Sequence, residues 1–241
     1  MKQNVGIISQ ARMTSSRLPG KVLLKIAGKS LLQYHIERLE ISKLPIYIAT
    51  TTNNSDDEIE ALASKLNVFT YRGDEHHVLS RYYECAKKNN LDIIVRVTSD
   101  CPLIDGNVIQ SAVAQYMSIN HENLYLSNCQ VRTFPRGFDF EIFSFNMLEQ
   151  AYQNAFLQED IEHVTPYIIK NSSGINKIEN ILLPQDKSSI RITVDTESDF
   201  ILMKLLIENY NAHLLSCEDI IKIFDQNPEL CKINAHIIQK L

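Results

Sequence analysis

Short apolar runs alternate along this chain with stretches whose apolar residues recur every three or four positions. The runs at residues 5–9, 45–50, 68–71, 93–98 and 124–127 are brief and mostly β-branched, the pattern of strands covered on both sheet faces. Between them, Leu31, Leu32, His35, Ile36 and Leu39 share one face of a helix, and Ser55-Asp56-Asp57-Glu58 predicts a capping box that opens a helix through Leu66. Residues 78–88 and 108–117 continue the alternation. Strand followed by helix, repeated, predicts right-handed crossovers and a mainly parallel sheet. From about residue 134 the pattern shifts to a strand over 138–143, helices over 146–156 and 161–169, strands over 175–182 and 190–194, and two C-terminal helices. No linker, repeat or low-complexity block intervenes. The expectation is one α/β unit over 1–241: a first half to about 130, an embedded lobe over about 131–190, and C-terminal helices over about 196–241.

Composition narrows the function classes. The 241 residues are 44% hydrophobic, enough for a large core, and the net charge of −5 argues against a general nucleic-acid binder. Five cysteines, odd in number and never spaced C-x-x-C, suggest neither a disulfide framework nor a zinc finger, so a reducing cytoplasm is expected. No apolar run approaches the ~20 residues of a membrane span, and no signal-peptide pattern opens the chain. The average charge hides an asymmetry: Lys2, Arg12, Arg17, Lys21, Lys25 and Lys29 fall within the first 30 residues, where there is no acid. That is either a solvated basic edge or a surface built to meet an anion.

The chemistry concentrates where the first predicted strand ends, in Gln10-Ala11-Arg12-Met13-Thr14-Ser15-Ser16-Arg17-Leu18-Pro19-Gly20-Lys21. Open α/β sheets bind ligands at that edge; arginine forks and a lysine point charge suit phosphates, and small hydroxyl residues let backbone N–H groups approach. Gly28-Lys29-Ser30 resembles the end of a P-loop, but Leu23 stands where its first glycine belongs. No G-x-G-x-x-G occurs, so a dinucleotide-binding enzyme is disfavoured. His76-His77 has no partner spaced for zinc and reads as a solvated helix start. Asn53-Asn54-Ser55 and Asn171-Ser172-Ser173 match glycosylation sequons that a cytoplasmic chain does not use.

Ala11 to Lys21 resembles the signature loop of the cytidylyltransferases that activate sugar acids, a family that includes CMP-Kdo and CMP-sialic acid synthetases, with the spore coat polysaccharide branch nearest. Further blocks follow in the family's order: Val78-Leu79-x-Arg81-Tyr82-Tyr83, Arg96-Val97-Thr98-Ser99-Asp100-Cys101-Pro102-Leu103-Ile104, Phe138-Asp139-Phe140-Glu141, Glu162-His163-Val164-Thr165-Pro166-Tyr167 and Val194-Asp195-Thr196-Glu197-x-Asp199. The resemblance implies a Rossmann-like three-layer α/β fold of the nucleotide-diphospho-sugar transferase kind, and transfer of CMP from CTP to a sugar acid. It places Ala11, Arg12, Ser15, Ser16, Arg17, Lys21, Arg81 and Ser99 around the nucleotide. It gives Arg12, Lys21, Asp100 and Asp195 to catalysis, with both aspartates on a magnesium ion at the ends of two strands. Arg136, Asp139, Glu141, His163 and Tyr167 map to the lobe that receives the acceptor, and relatives often pair through that lobe, so the resemblance implies a homodimer. His163 and Tyr167, four residues apart, are expected on one helical face beside Arg136. His77 and Ser80 stand where the branch leads one to expect aspartates. Structural alternatives stay open: Asp100 as a turn former, Asp195 as a helix start, Arg81 as a surface arginine, His163 as a core histidine. Asp105 is the preferred cap for its helix. Within enzymes, a nucleotidyltransferase for another acceptor, such as a phosphorylated sugar or alditol, stays open, and a non-catalytic relative that retains the fold is the rival from another class.

Overall fold

The computed structural model describes residues 3–238; Lys2 of the basic run and residues 239–241 lie outside the described residues. Strand β1 (Val5–Gln10) opens into the loop at 11–20, and a short hairpin, β2 (Lys25–Ile26) and β3 (Lys29–Ser30), leads to α1 (Leu31–Glu40). The P-loop look-alike is that hairpin. Ala27 and Gly28 take φ of 47° and 85°, the two positive values that a tight hairpin turn requires, and Lys29 pairs with Glu37 at 2.8 Å. The alternation then runs β4 (Ile46–Thr51), α2 (Asp57–Lys65), β5 (Phe69–Gly73), α3 (Val78–Lys88), β6 (Ile93–Thr98), α4 (Gly106–Ile119) and β7 (Leu124–Ser127). The remainder is β8 (Glu141–Ser144), α5 (Phe145–Asn154), α6 (Gln158–His163), α7 (Pro166–Lys170), β9 (Lys177–Asn180), α8 (Glu197–Tyr210) and α9 (Cys217–Gln226).

Seven strands form one sheet in the order β5-β4-β1-β6-β8-β7-β9, with β8 antiparallel to both neighbours and every other pairing parallel. β1 lies inside the sheet: Ile7 pairs with Ile46 on one side and Val95 on the other. Successive residues of β1 feed opposite faces. Ile7 joins a core with α1, α2 and α4, whereas Ile8 joins one with α3, α5 and α7, and both are fully buried. A third apolar cluster packs α8 and α9 against the hairpin. The chain runs outward from β1 to β4 and β5, then returns to place β6 on the other side. That reversal leaves a crevice beyond the carboxyl ends of β1 and β6, where open α/β sheets bind ligands.

Several local expectations change. The capping box at Ser55 does not form: Asp56 is fully buried and accepts hydrogen bonds from Thr50 Oγ1 at 2.9 Å, Thr51 Oγ1 at 2.6 Å and Met13 N at 2.9 Å. Its carboxyl lies below the usual range because these donors outweigh its burial. The reciprocal box instead opens α8, between Thr196 and Asp199. Asp105 caps α4 as expected, accepting from Asn107 N at 2.9 Å. The helix expected over 161–169 breaks at Val164, whose φ of 73° and ψ of −52° make a tight turn closed by Thr165 N to His163 O at 2.8 Å. Residues 190–194 form no ladder strand: Arg191 makes one isolated bridge with Arg136, and the segment is held by Arg136 N to Ile190 O at 2.9 Å and Ile192 N to Arg136 O at 2.8 Å.

Candidate active site

A cleft of about 650 Å³ opens at the crevice and is lined by the 11–22 loop, the end of β6 and the rim of α6. Lys21 lies at its floor. Gly20 turns the chain there with φ of 68°, and the Lys21 ammonium donates to Asp100 Oδ2 and Asp195 Oδ1, each at 2.8 Å. The two aspartates converge because their backbones are stitched together: Val194 N donates to Asp100 O at 2.8 Å, and Thr193 Oγ1 to the same oxygen at 3.2 Å. Asp100 follows strand β6, whereas Asp195 ends the irregular segment, so only one of the pair comes off a strand.

The charges around Lys21 are nested. Burial opposes its ammonium, but Asp100 and Asp195 outweigh that and hold it above its ordinary value. Burial works against the Asp100 carboxylate too, and Lys21 prevails, keeping it well below the usual carboxylate range. The second oxygen of Asp195 receives Arg17 Nη2 at 3.1 Å and Arg191 Nη2 at 2.8 Å. Arg191 in turn donates Nε to Asp199 Oδ1 at 2.9 Å, and Asn234 donates to that oxygen at 2.8 Å. Arg17 therefore braces Asp195 as well as edging the cleft.

Arg12, Ser15 and Ser16 also line the cleft. Ala11 is buried and its N–H is already given to Ala49 O at 3.2 Å, so that amide is not free for a ligand. Arg12 reaches 3.4 Å from Glu75, a carboxylate outside the recognised motifs. Glu75 also takes hydrogen bonds from Thr14 Oγ1 and, at 2.6 Å, from Asn53 Nδ2, and its carboxyl is lowered by Thr14, Asn53 and Arg12 against a small desolvation cost. Arg81 is not a surface arginine. It is 2% exposed, its Nε and Nη1 have no hydrogen-bond partner among the described residues, and it lines the cleft. Burial of those donors pulls its pKa down. His77 and Ser80 have a local use: the backbone N–H of Ser80 donates to His77 Nδ1 at 3.0 Å, capping α3.

The residues mapped to the acceptor lobe divide. His163 is exposed at the rim of the cleft with Gln158 and Glu162 of α6. Tyr167 lies beyond the turn at Val164, on α7, and packs against the core beneath α3 and α5, so the shared helical face does not exist. Glu141 points inward: it is 5% exposed and bound by Arg96, by Tyr125 Oη at 2.6 Å and by Thr165 Oγ1 at 2.6 Å. Asp139 pairs with Arg132. Arg136 is half-buried in the field of Arg132, Arg191 and Asp139, and its pKa is drawn down by burial and by those two guanidiniums. Arg132 and Arg191 lie outside the recognised motifs, and only folding brings them to this place.

Among the described residues no group of three or more His, Cys, Asp or Glu side chains is placed to hold a metal, and no helix is long and apolar enough to cross a membrane. The donors here are the two aspartates alone, with three cations gathered around them.

The cytidylyltransferase family profile matches residues 5–230. A solved cytidylyltransferase from Leptospira borgpetersenii superposes with a TM-score of 0.91 at 35% identity, covering 100% of this chain and 99% of that one. The spore coat polysaccharide biosynthesis protein SpsF of Bacillus subtilis is 28% identical over 232 residues, 92% of this chain and 94% of its own. A CMP-2-keto-3-deoxy-manno-octonic acid synthetase solved with CTP shares the fold, with a TM-score of 0.63 at 18% identity over 86% of this chain and all of that one. The chain thus belongs to the cytidylyltransferase family of nucleotidyltransferases.

Proposed function

We propose that this protein transfers CMP from CTP to an anionic sugar acid and releases pyrophosphate. The observation that carries the reading is the Lys21-bridged pair of Asp100 and Asp195 at the floor of a cleft whose loop supplies Arg12 and Arg17. The acceptor hydroxyl attacks the α-phosphorus of CTP as pyrophosphate departs on the opposite side. No covalent enzyme intermediate is involved, so rate comes from alignment and from cations that meet charge developing on the phosphates.

Each residue then has a task. Arg12 exchanges its long contact with Glu75 for phosphate oxygens, with Ser15 and Ser16 beside it. Lys21 supplies the compact charge for the departing pyrophosphate. Arg81 has buried donors without partners, suited to the carbonyl and ring-nitrogen acceptors of a base or to a phosphate, and Ser99 also lines the cleft. Arg136, with Arg132 close by, gives the acceptor's carboxylate a cationic neighbourhood, and His163 stands at the cleft rim. Asp139 moderates that charge through Arg132, whereas Glu141 and Tyr167 support the lobe from inside. The protein is read as cytoplasmic, in keeping with five free cysteines.

Magnesium fits the donor set. Two carboxylates converge, and magnesium is commonly held by one or two carboxylates, with substrate phosphates and water completing its shell. Asp100 and Asp195 would hold it. When bound, the ion neutralises charge on the triphosphate and polarises the phosphoryl under attack. Lys21 holds the carboxylates together until then and turns to the phosphates when substrate enters.

A pyrophosphate-release screen of the four nucleoside triphosphates against Kdo, sialic, pseudaminic and legionaminic acids, with neutral and phosphorylated sugars as controls, tests the reading. Release with CTP and one of the acids is expected. Release only with another triphosphate, or only with a neutral or phosphorylated acceptor, would refute the assignment.

A further inference from the structure

His35 lies in the middle of α1 with no exposed surface, and burial pushes its imidazolium pKa down to about 4, so the ring is neutral. Both ring nitrogens are engaged. Nδ1 stands 2.8 Å from the carbonyl of Cys101, and Nε2 stands 2.8 Å from Ser9 Oγ. A carbonyl can only accept, so Nδ1 carries the hydrogen; in a neutral ring Nε2 is then the acceptor, and the Ser9 hydroxyl donates to it. Ser9, its own proton so directed, accepts from the Ser99 hydroxyl at 2.7 Å. Every donor in the series is thereby fixed, from Ser99 to Ser9 to His35 to Cys101.

The two ends of that series are the residues on either side of Asp100. One imidazole therefore grips the Ser99-Asp100-Cys101 turn from both directions. Three positions along the same helix, Arg38 donates Nε to Ile104 O at 2.8 Å and Nη2 to Leu103 O at 3.3 Å, holding the next stretch of the same segment. Leu32 and Leu39, also on α1, show that the helix packs well on aliphatic side chains. A buried polar ring costs free energy that an aliphatic one does not, unless its hydrogen bonds are made, and here both are made.

We propose that His35 is a positioning residue for Asp100: by holding the turn on both flanks, it sets where that carboxylate stands relative to Lys21 and Asp195. The inference rests on the reading of Asp100 as part of the catalytic pair.

The test compares two variants, with kcat, KM for CTP and Tm measured on each. His35→Leu keeps the bulk and loses both bonds. His35→Asn leaves a void and buries an amide, but its side-chain N–H₂ stands where Nδ1–H stood and can still reach the Cys101 carbonyl. His35→Leu should lower kcat roughly ten- to a hundredfold, as losses of residues that orient metal ligands do, with KM for CTP changed less than about twofold. His35→Asn should recover most of that kcat although its Tm is no higher than that of the leucine variant. A packing role reverses the order: activity would follow Tm, and asparagine would do no better than leucine. That order, or wild-type kcat in His35→Leu, overturns the proposal. Should His35→Leu fail to fold, His35→Met, unbranched and more pliant, replaces it. Asp100→Asn assayed in parallel separates the two claims. A normal rate there sinks the catalytic reading and the His35 proposal with it, whereas a crippled Asp100→Asn beside a normal His35→Leu sinks the positioning role alone.

Discussion

At the scale of single residues, Lys21 does most to organise the site. Its ammonium lies 2.8 Å from both Asp100 and Asp195, spacing that suits a point charge and leaves no room for a planar fork. Lys21→Ala should therefore lower kcat by about a hundredfold, the usual cost of removing one donor aimed at developing charge, with KM for CTP little changed, and Lys21→Arg should not restore it. Steady-state pyrophosphate release decides it; a raised KM at normal kcat would mean that Lys21 only holds substrate. His35 gives a prediction of a different kind. Its folded-state pKa of about 4 lies below the ordinary 6.5, so the unfolded chain binds the extra proton between those values and stability falls as pH drops through that window. Between pH 7 and pH 4.5 the histidine alone should cost the fold roughly 2 kcal/mol. Urea unfolding of wild type and His35→Asn at both pH values should show that much less acid sensitivity in the variant; equal sensitivity would contradict it. Sequence made the cations of the 12–21 loop and the pair Asp100 and Asp195 legible because they sit in ordered motifs. Glu75, Arg132 and Arg191 were not, since their places depend on partners far along the chain, and Arg81 gave no sign that its guanidinium would be buried with donors to spare.

At the scale of elements, the strands of the first half follow the apolar runs within a residue or two; β1, β4, β6 and β7 are covered on both faces and admit little else, whereas β5, at the sheet edge, has no buried residue and Phe69 stands exposed. Periodicity misleads where a side chain bonds the backbone or another element takes its partner. Ser55-Asp56-Asp57-Glu58 looks like a capping box, but Asp56 serves β4 and the 11–20 loop; residues 190–194 look like a strand but pair with a loop. The apolar period across 161–169 survives the break at Val164, where a β-branched residue at positive φ, fully buried, turns the chain just before Pro166. Thr165 on the far side of that turn donates to Glu141, which ties α6 and α7 to β6 through Arg96. Glu141→Ala should leave Arg96 charged and unpaired in the interior and cost about 3–5 kcal/mol, whereas Thr165→Val, which removes one donor, should cost about 1 kcal/mol. Denaturant midpoints of the two variants test this. A loss under about 1 kcal/mol for Glu141→Ala would return Glu141 to the acceptor site that sequence similarity suggested.

At the scale of the whole molecule, sheet reversal, charge asymmetry and site coincide. The reversal beside β1 puts the cation-bearing loop and the end of β6 at one crevice, and the C-terminal segment adds Asp195 from the opposite end of the chain. The fold class was readable from alternation alone; that residues 100 and 195 meet at one lysine is a property of the closed structure. The central claim is that this pair, with a divalent ion and Lys21, drives cytidylyl transfer. The most direct measurement is the magnesium dependence of pyrophosphate release from CTP, with the accepted sugar acid, in wild type, Asp100→Asn, Asp195→Asn and the double variant. Turnover should require magnesium, and each single variant should lose at least about two orders of magnitude, roughly 2.7 kcal/mol of barrier. The double variant should lose little more than either single one, because both carboxylates act through one ion. Turnover without magnesium, or a near-normal rate in either Asn variant, would contradict the account.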